Sequence, residues 1–152
     1  MVADHRRLPH DLRPSPIDIV RRLMLGVLLF GMAGLFAELT LLAHYEDAPQ
    51  LIPLALLGLG IVGVILDLIL SRRWTRTIVQ TVMALFIVAG LLGVYLHYQG
   101  SREFQLEMNA TMTGMDLMWH VLRAKSPPTL APGSMVQLGV LGLGYAYLRR
   151  TV

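Results

Sequence analysis

The sequence contains no cysteine among its 152 residues. This absence excludes disulfide scaffolds, cysteine-ligated zinc and iron–sulfur centres, thiol catalysis and covalently attached haem c. Charged residues are also scarce, at 15% of the chain against about 25% in soluble domains. Hydrophobic residues account for 55% of the chain, and the mean hydropathy is +0.58. The composition therefore indicates a membrane protein.

Motifs for nucleic-acid binding and for catalysis are missing as well. The net charge is +3, but the arginines gather at the ends of apolar runs and do not form a basic face with interleaved aromatic residues. The sequence has no phosphate-binding glycine loop and no Ser/His/Asp set on a soluble scaffold. We therefore expect no nucleic-acid partner, and no enzymatic activity is indicated.

Four apolar runs are present, and a helix needs about 17–25 residues to cross a hydrocarbon core of ~30 Å. The runs cover residues 23–44, 51–70, 77–97 and 132–148. The turn between the first two is short, so these helices should be antiparallel neighbours. The sequence predicts an all-α, four-transmembrane-helix bundle in a single domain, residues 23–152.

Two segments lie outside the predicted spans. Residues 1–22 are expected to form an N-terminal tail, and residues 98–131 a cap on the opposite side of the membrane. In the cap, Thr113 and Asp116 have the spacing of a capping box, which predicts a short amphipathic helix over 114–124. Met115, Trp119 and Leu122 share one face of this helix and are expected to lie on the membrane surface or to cover the bundle.

The arginines predict the orientation, because basic residues are retained in cytoplasmic loops. With four spans, ten of the thirteen basic residues lie on one side: Arg6, Arg7, Arg13, Arg21, Arg22, Arg72, Arg73, Arg76, Arg149 and Arg150. Both termini are therefore predicted to be cytoplasmic. The first run is too long for the apolar region of a cleaved signal peptide, so we expect an uncleaved anchor.

Small residues recur at helical spacing in every predicted span, as expected where helices pack closely in lipid. They are Gly31 and Gly34, Gly60 and Gly63, Ala89 and Gly93, and Gly139, Gly142 and Ala146. This pattern favours a compact bundle, or a bundle that also docks against larger neighbours.

Asp67 is one of two carboxylates inside the apolar runs, where a charge costs at least ~2.5–3.5 kcal/mol. It lies four residues after Gly63, so it should face protein. We expect a structural role, with counter-charge from Arg72, Arg73 and Arg76 and hydrogen bonds from Gln80 and Thr81.

Glu38 is the second carboxylate, four residues after Gly34, and the same argument places it in the interior. Thr40, Ser134 and Gln137 are at its depth. An interhelical hydrogen bond is one interpretation, and handling of a proton or cation is the other.

Two histidines end the first and third spans, and each is followed by tyrosine. In an up-down-up-down bundle these spans are parallel and diagonal, so His44 and His97 can converge on the axis. They could then ligate haem b or, with Glu38, Glu46 and His120, a divalent metal. The alternative is an ordinary His–Tyr pair at the membrane interface, in which case no cofactor is expected.

Four stretches together resemble a family of small bacterial membrane proteins for which no activity is known. They are residues 43–47 (AHYED), 95–98 (YLHY), 103–107 (EFQLE) and 130–138 (LAPGSMVQL). The resemblance implies four helices and a bacterial inner (plasma) membrane, and it implies no cofactor or catalytic residue.

Three functions remain open at this stage. The first is an accessory or assembly subunit of a larger membrane complex, acting by helix packing. The second is a haem- or metal-binding redox component that uses His44 and His97. The third is a small homo-oligomeric channel or proton-coupled carrier in which Glu38 titrates. Four short spans leave little room for a substrate cavity, which favours the first function.

Overall fold

The computed structural model of this chain describes residues 14–123 and 130–149. Three parts of the predicted organisation lie outside the described residues: most of the N-terminal tail, the end of the cap, and the last three residues. The basic residues of the orientation argument that lie in these parts are Arg6, Arg7, Arg13, Lys125 and Arg150.

Five helices make up the described part of the chain, which contains no strand. They are α1 (Pro16–Leu41), α2 (Ala48–Leu70), α3 (Arg73–Met108), α4 (Gly114–Leu122) and α5 (Leu130–Leu148). The all-α prediction is confirmed. Among the described helices, α1, α2 and α3 are long and apolar enough to cross a membrane.

Helix α1 begins seven residues earlier than predicted, inside the segment assigned to the tail. Pro16 occupies the first turn, where its missing N–H costs nothing. The side chain of Ser15 accepts a hydrogen bond from the backbone N of Asp18 at 3.1 Å, which caps the helix. Hydropathy alone misses this start because the capping turn is polar.

Helix α3 contains 36 residues and continues well past His97. At 1.5 Å per residue it is about 54 Å long, so its last eleven residues extend beyond a hydrocarbon core of ~30 Å. Residues 98–108, the first part of the predicted cap, are therefore a continuation of α3. Apolarity falls after His97, but no proline interrupts the backbone before Asn109.

Helix α4 begins at Gly114 as predicted, but it turns a different face inward. Leu117 and Val121 are buried, whereas Met115 is 73% exposed and Trp119 is 51% exposed. The face predicted to cover the bundle therefore points outward.

The long helices and α5 form a four-sided bundle. Helix α2 packs between α1 and α3, and α5 packs on the opposite side between the same two helices, so α1 and α3 are diagonal. The most deeply buried apolar side chains between them include Leu28, Met32, Leu57, Met83 and Phe86.

Glycine brings α3 and α5 into close contact. A Cβ atom at Gly90 would lie 2.7 Å from the carbonyl oxygen of Pro132, and one at Gly139 would lie 2.7 Å from that of Met83. Two backbones at this distance leave no room for a side chain, as in other helix pairs with small residues at the contact. The small-residue pattern therefore fixes α5 against α3.

Candidate functional site

His44 and His97 lie together at the end of the bundle opposite the arginines. Their ring centroids are 6.1 Å apart and their planes differ by 24°. His97 belongs to α3, whereas His44 lies in the turn after α1, so the pair joins the two diagonal helices. The two histidines come together as the up-down-up-down arrangement predicts, but His97 is exposed and His44 half-buried, so the pair is not enclosed on the bundle axis.

The turn that carries His44 has the geometry of a Schellman motif. The backbone N of His44 donates to the carbonyl of Leu39 at 2.9 Å, and that of Ala43 donates to Thr40 at 3.1 Å. Ala43 has φ of 52°, a left-handed conformation that usually belongs to glycine. The position of His44 is therefore set by backbone hydrogen bonds.

Partial burial lowers the pKa of His44 below its ordinary value of 6.5, and the neighbouring His97 lowers it further. The imidazole of His44 is therefore neutral at pH 7. A neutral imidazole can act as a metal ligand or as a hydrogen-bonding group, whereas a protonated one cannot ligate a metal.

The other residues of the predicted metal set do not join this pair. His120 lies on α4, where its Nδ1 is 2.9 Å from the carbonyl oxygen of Asp116. Glu46 is exposed in the turn after α1, and Glu38 lies on the outer surface of α1. Within residues 14–123 and 130–149, no three His, Asp or Glu side chains converge as a metal site.

Asp67 is buried at the opposite end, with 1% of its surface exposed. The hydroxyl of Thr75 donates to its Oδ1 at 2.6 Å, and Nη1 of Arg149 lies 2.9 Å from its Oδ2. The interior position agrees with the prediction. The counter-charge comes from α5 and not from the arginines at 72, 73 and 76.

Arg149 also caps the end of α2. Its Nη2 donates to the carbonyl oxygen of Asp67 at 2.7 Å and to Oγ of Ser71 at 2.9 Å. Its Nη1 donates to the hydroxyl of the buried Tyr145 at 2.8 Å. A cation at a helix C-terminus is favourable, because unpaired carbonyls accumulate there. We name this arrangement of Asp67, Thr75, Tyr145 and Arg149 the clamp.

The sequence already indicates that Arg149 belongs to the clamp, although the cluster of arginines at 72, 73 and 76 suggests a different counter-charge for Asp67. Arg149 follows Gly142 by seven residues and Ala146 by three, so it continues the small-residue stripe of α5. The criterion that places Asp67 in the interior thus applies equally to Arg149. Gln80, the other expected partner of Asp67, lies half-buried on α3.

Glu38 is exposed on the chain, contrary to the prediction that it is buried. It lines a groove of about 460 Å³ between α1 and α5, together with Ser134 and Gln137. Gln137 is also exposed, and a Cβ atom at Gly34 would meet no other described residue within 4 Å. The residues predicted to lie at the depth of Glu38 do lie there, but they face away from the bundle interior.

No side-chain partner for the Glu38 carboxyl is found within the described ranges. The hydroxyl of Ser134 donates to the carbonyl of Leu130, and the hydroxyl of Thr40 donates to that of Phe36, so both serve their own helices. Glu38 therefore lies exposed on an apolar helix, and its carboxyl group has no side-chain partner among the described residues.

The remaining predicted packing glycines have neighbours inside the bundle. Gly31 lies against Leu138 of α5, and Gly60 lies between Met32 and Phe86. Gly63 faces Ile78 and Val79, Gly93 faces Pro132, and Gly142 faces Met83 and Leu28.

Comparison of the chain with protein-family models, with curated proteins and with solved structures finds no match.

Proposed function

We propose that the protein is a small integral-membrane accessory subunit that binds another membrane protein through the α1–α5 groove. The observation that carries this proposal is the exposed, unpartnered carboxyl of Glu38. At 23 residues into α1, it lies within an apolar helix long enough to cross a membrane. A charge facing lipid costs at least ~2.5–3.5 kcal/mol at the centre of a membrane-spanning helix, and less near the helix end, where Glu38 lies.

The groove has the features of a helix-docking surface. Gly34 leaves space beside Glu38, and small residues allow the backbones of two helices to approach. Gln137 and Glu38 provide hydrogen-bonding groups for the partner. We therefore expect the occupant to be a transmembrane helix that donates a hydrogen bond or a positive charge to Glu38.

The same proposal includes the topology. Helix α5 has 19 residues and packs against the longer helices α1 and α3. We propose that it is a fourth span, that both termini are cytoplasmic and that the membrane is the bacterial inner membrane. In this arrangement the clamp is on the cytoplasmic side and the histidine pair on the outer side.

Site-directed cross-linking tests the groove. Because the chain has no native cysteine, Gln137→Cys introduces a single thiol in the groove, and Val88→Cys introduces one on an exposed face of α3. We expect the Gln137→Cys protein to cross-link to a different membrane protein in intact membranes, and the Val88→Cys protein not to do so.

Substitution of Glu38 then tests the carboxyl itself. Glu38→Leu should abolish the cross-link from Gln137→Cys and co-purification of the partner, whereas Glu38→Gln should retain part of both. Cross-links that form only between copies of this chain would contradict the proposal. Equal co-purification with Glu38→Leu and with the unchanged protein would also contradict it.

A second function, binding of a metal ion or haem, is favoured by one observation, the spacing of His44 and His97. Two imidazoles that ligate one ion from opposite sides place their centroids roughly 6 Å apart, since each metal–nitrogen bond is about 2.0 Å. The observed centroid distance of 6.1 Å equals this spacing, with the two rings stacked at an interplanar angle of 24°. An absorption spectrum and metal analysis of the purified protein test it, with His44→Ala as the variant and His120→Ala as the control.

A further inference from the structure

A second cleft lies at the arginine-rich end of the bundle, away from the groove of Glu38. All four helices of the bundle contribute to it, and its volume is about 470 Å³, within the range of about 300–1,000 Å³ typical of ligand sites. Its lining includes four arginines and two leucines: Arg21, Arg22, Arg76, Arg149, Leu25 and Leu68.

The cleft carries an excess of positive charge. Arg21 is paired with Asp18 at 2.8 Å, and Arg149 is paired with Asp67 at 2.9 Å. Neither Arg22 nor Arg76 has a carboxylate partner among the residues that the structure describes. Two guanidinium groups from different helices therefore face the same cleft without an anion.

Arg76 is also incompletely satisfied. Its Nε atom is buried and has no hydrogen-bond acceptor within the described part of the protein. A buried donor without an acceptor is unfavourable, and more so when it is charged. Arg76 also lines the cleft, so an anion bound there would lie beside the guanidinium that carries this donor.

The chemistry of the lining favours phosphate as the anion. A guanidinium presents its N–H groups as a planar fork that matches phosphate oxygens, and arginines on two helices can engage different oxygens of one tetrahedral group. Leu25 lies three residues deeper than Arg22, about 4.5 Å along the helix. With Leu68, which is 40% exposed, it provides an apolar continuation of the cleft.

We propose that this cleft binds the phosphate of an anionic phospholipid, with Arg22 and Arg76 as its ligands. The arginines stand at the ends of apolar helices, the level at which lipid headgroups lie. Leu25 and Leu68 are then placed to contact an acyl chain. Basic pockets between helices are a known way to hold anionic headgroups, and each arginine near the surface contributes about fivefold in affinity.

The test compares lipid binding to the full-length protein by native mass spectrometry, with phosphatidylglycerol and phosphatidylcholine as probes. We expect preferential retention of phosphatidylglycerol. The double variant Arg22→Gln/Arg76→Gln should weaken its binding on the order of 20-fold. Arg73→Gln is the matched control, because Arg73 is exposed at the same end and does not line the cleft.

Arg22→Gln alone keeps the test informative if substitution of the half-buried Arg76 disturbs folding, since Arg22 is exposed. This single variant should lose about fivefold in affinity. Equal retention of the two lipids, or an unchanged affinity in the folded variants, would overturn the proposal. Displacement of phosphatidylglycerol by millimolar inorganic phosphate would also overturn it, by assigning the cleft to a soluble phosphate compound.

Discussion

Among the residues that the structure describes, two non-glycine residues adopt left-handed backbone conformations, and they differ in what their side chains do. Ala43, with φ of 52°, ends α1, and Ser71, with φ of 50°, ends α2. The left-handed conformation costs an L-residue about 1–2 kcal/mol. The methyl group of Ala43 has no hydrogen-bonding role, whereas the hydroxyl of Ser71 accepts a hydrogen bond from Arg149.

Ala43→Gly is therefore expected to stabilise the protein by about 0.5–1 kcal/mol, the relief of strain less the extra entropy of glycine in the unfolded chain. Ser71→Gly should gain the same relief but lose a hydrogen bond of about 1 kcal/mol, so that its net effect is near zero. Thermal or denaturant unfolding in detergent measures both. An equal gain from the two substitutions would show that the hydrogen bond to Ser71 contributes nothing.

The clamp contains the most deeply buried ion pair among the described residues. Removing one partner of a buried ion pair leaves the other charge without compensation, which typically costs about 3–5 kcal/mol. We expect Asp67→Asn and Arg149→Gln each to destabilise the protein by this order. The double variant should be less destabilised than the sum of the two, as measured by a double-mutant cycle from unfolding curves. Additive effects would mean that the two side chains do not act together.

The His44 turn should respond to acid. In the unfolded chain His44 titrates near pH 6.5, and in the folded chain its pKa is lower. Between these two pKa values the unfolded state binds more protons than the folded state. The contribution of the neutral His44 to stability is therefore complete above about pH 6.5 and is lost as the pH falls through the folded pKa. Unfolding curves of chelator-treated protein across this range should show the loss.

His44→Gln should remove that part of the pH dependence. His120→Gln is the control, because His120 is an exposed histidine on α4. The prediction fails if the slope of stability against pH is the same in His44→Gln as in the unchanged protein.

At the scale of the helices, the α3–α5 contact is the most sensitive to added volume. Gly139→Ala places a methyl group against the backbone of α3, and overpacking of this kind typically costs about 1–3 kcal/mol. Gly133→Ala, on the same helix, meets no neighbour and should stabilise α5 by up to about 1 kcal/mol through helix propensity. Unfolding midpoints compare the two, and similar shifts would contradict the close approach.

The sequence predicts the helices better than their faces. Apolar runs locate all four long elements, and the stripe of small residues correctly identifies Asp67 as an interior residue. The same reasoning fails for Glu38, because periodicity shows which residues share a face and not whether that face is covered by the chain itself. Helix ends are missed where polar residues continue a helix, as at Pro16 and after His97.

At the scale of the whole molecule, the orientation of α3 can be tested at both of its ends. Arg73→Cys places a thiol at the start of α3, and Arg102→Cys places one beyond the histidine pair. With cytoplasmic termini, a membrane-impermeant thiol reagent should label Arg102→Cys in intact spheroplasts and should reach Arg73→Cys only after lysis. The reverse pattern would invert the proposed topology.

The clamp also has a consequence for the order in which the protein is made. Asp67 and Arg149 are 82 positions apart, so α2 is synthesised long before its counter-charge. During that interval its carboxylate enters the membrane without its final partner, and the end of α2 lacks the hydrogen bonds that Arg149 donates to it. Biogenesis is therefore expected to pass through a stage in which α1, α2 and α3 have been made and the clamp is still incomplete, until α5 is added.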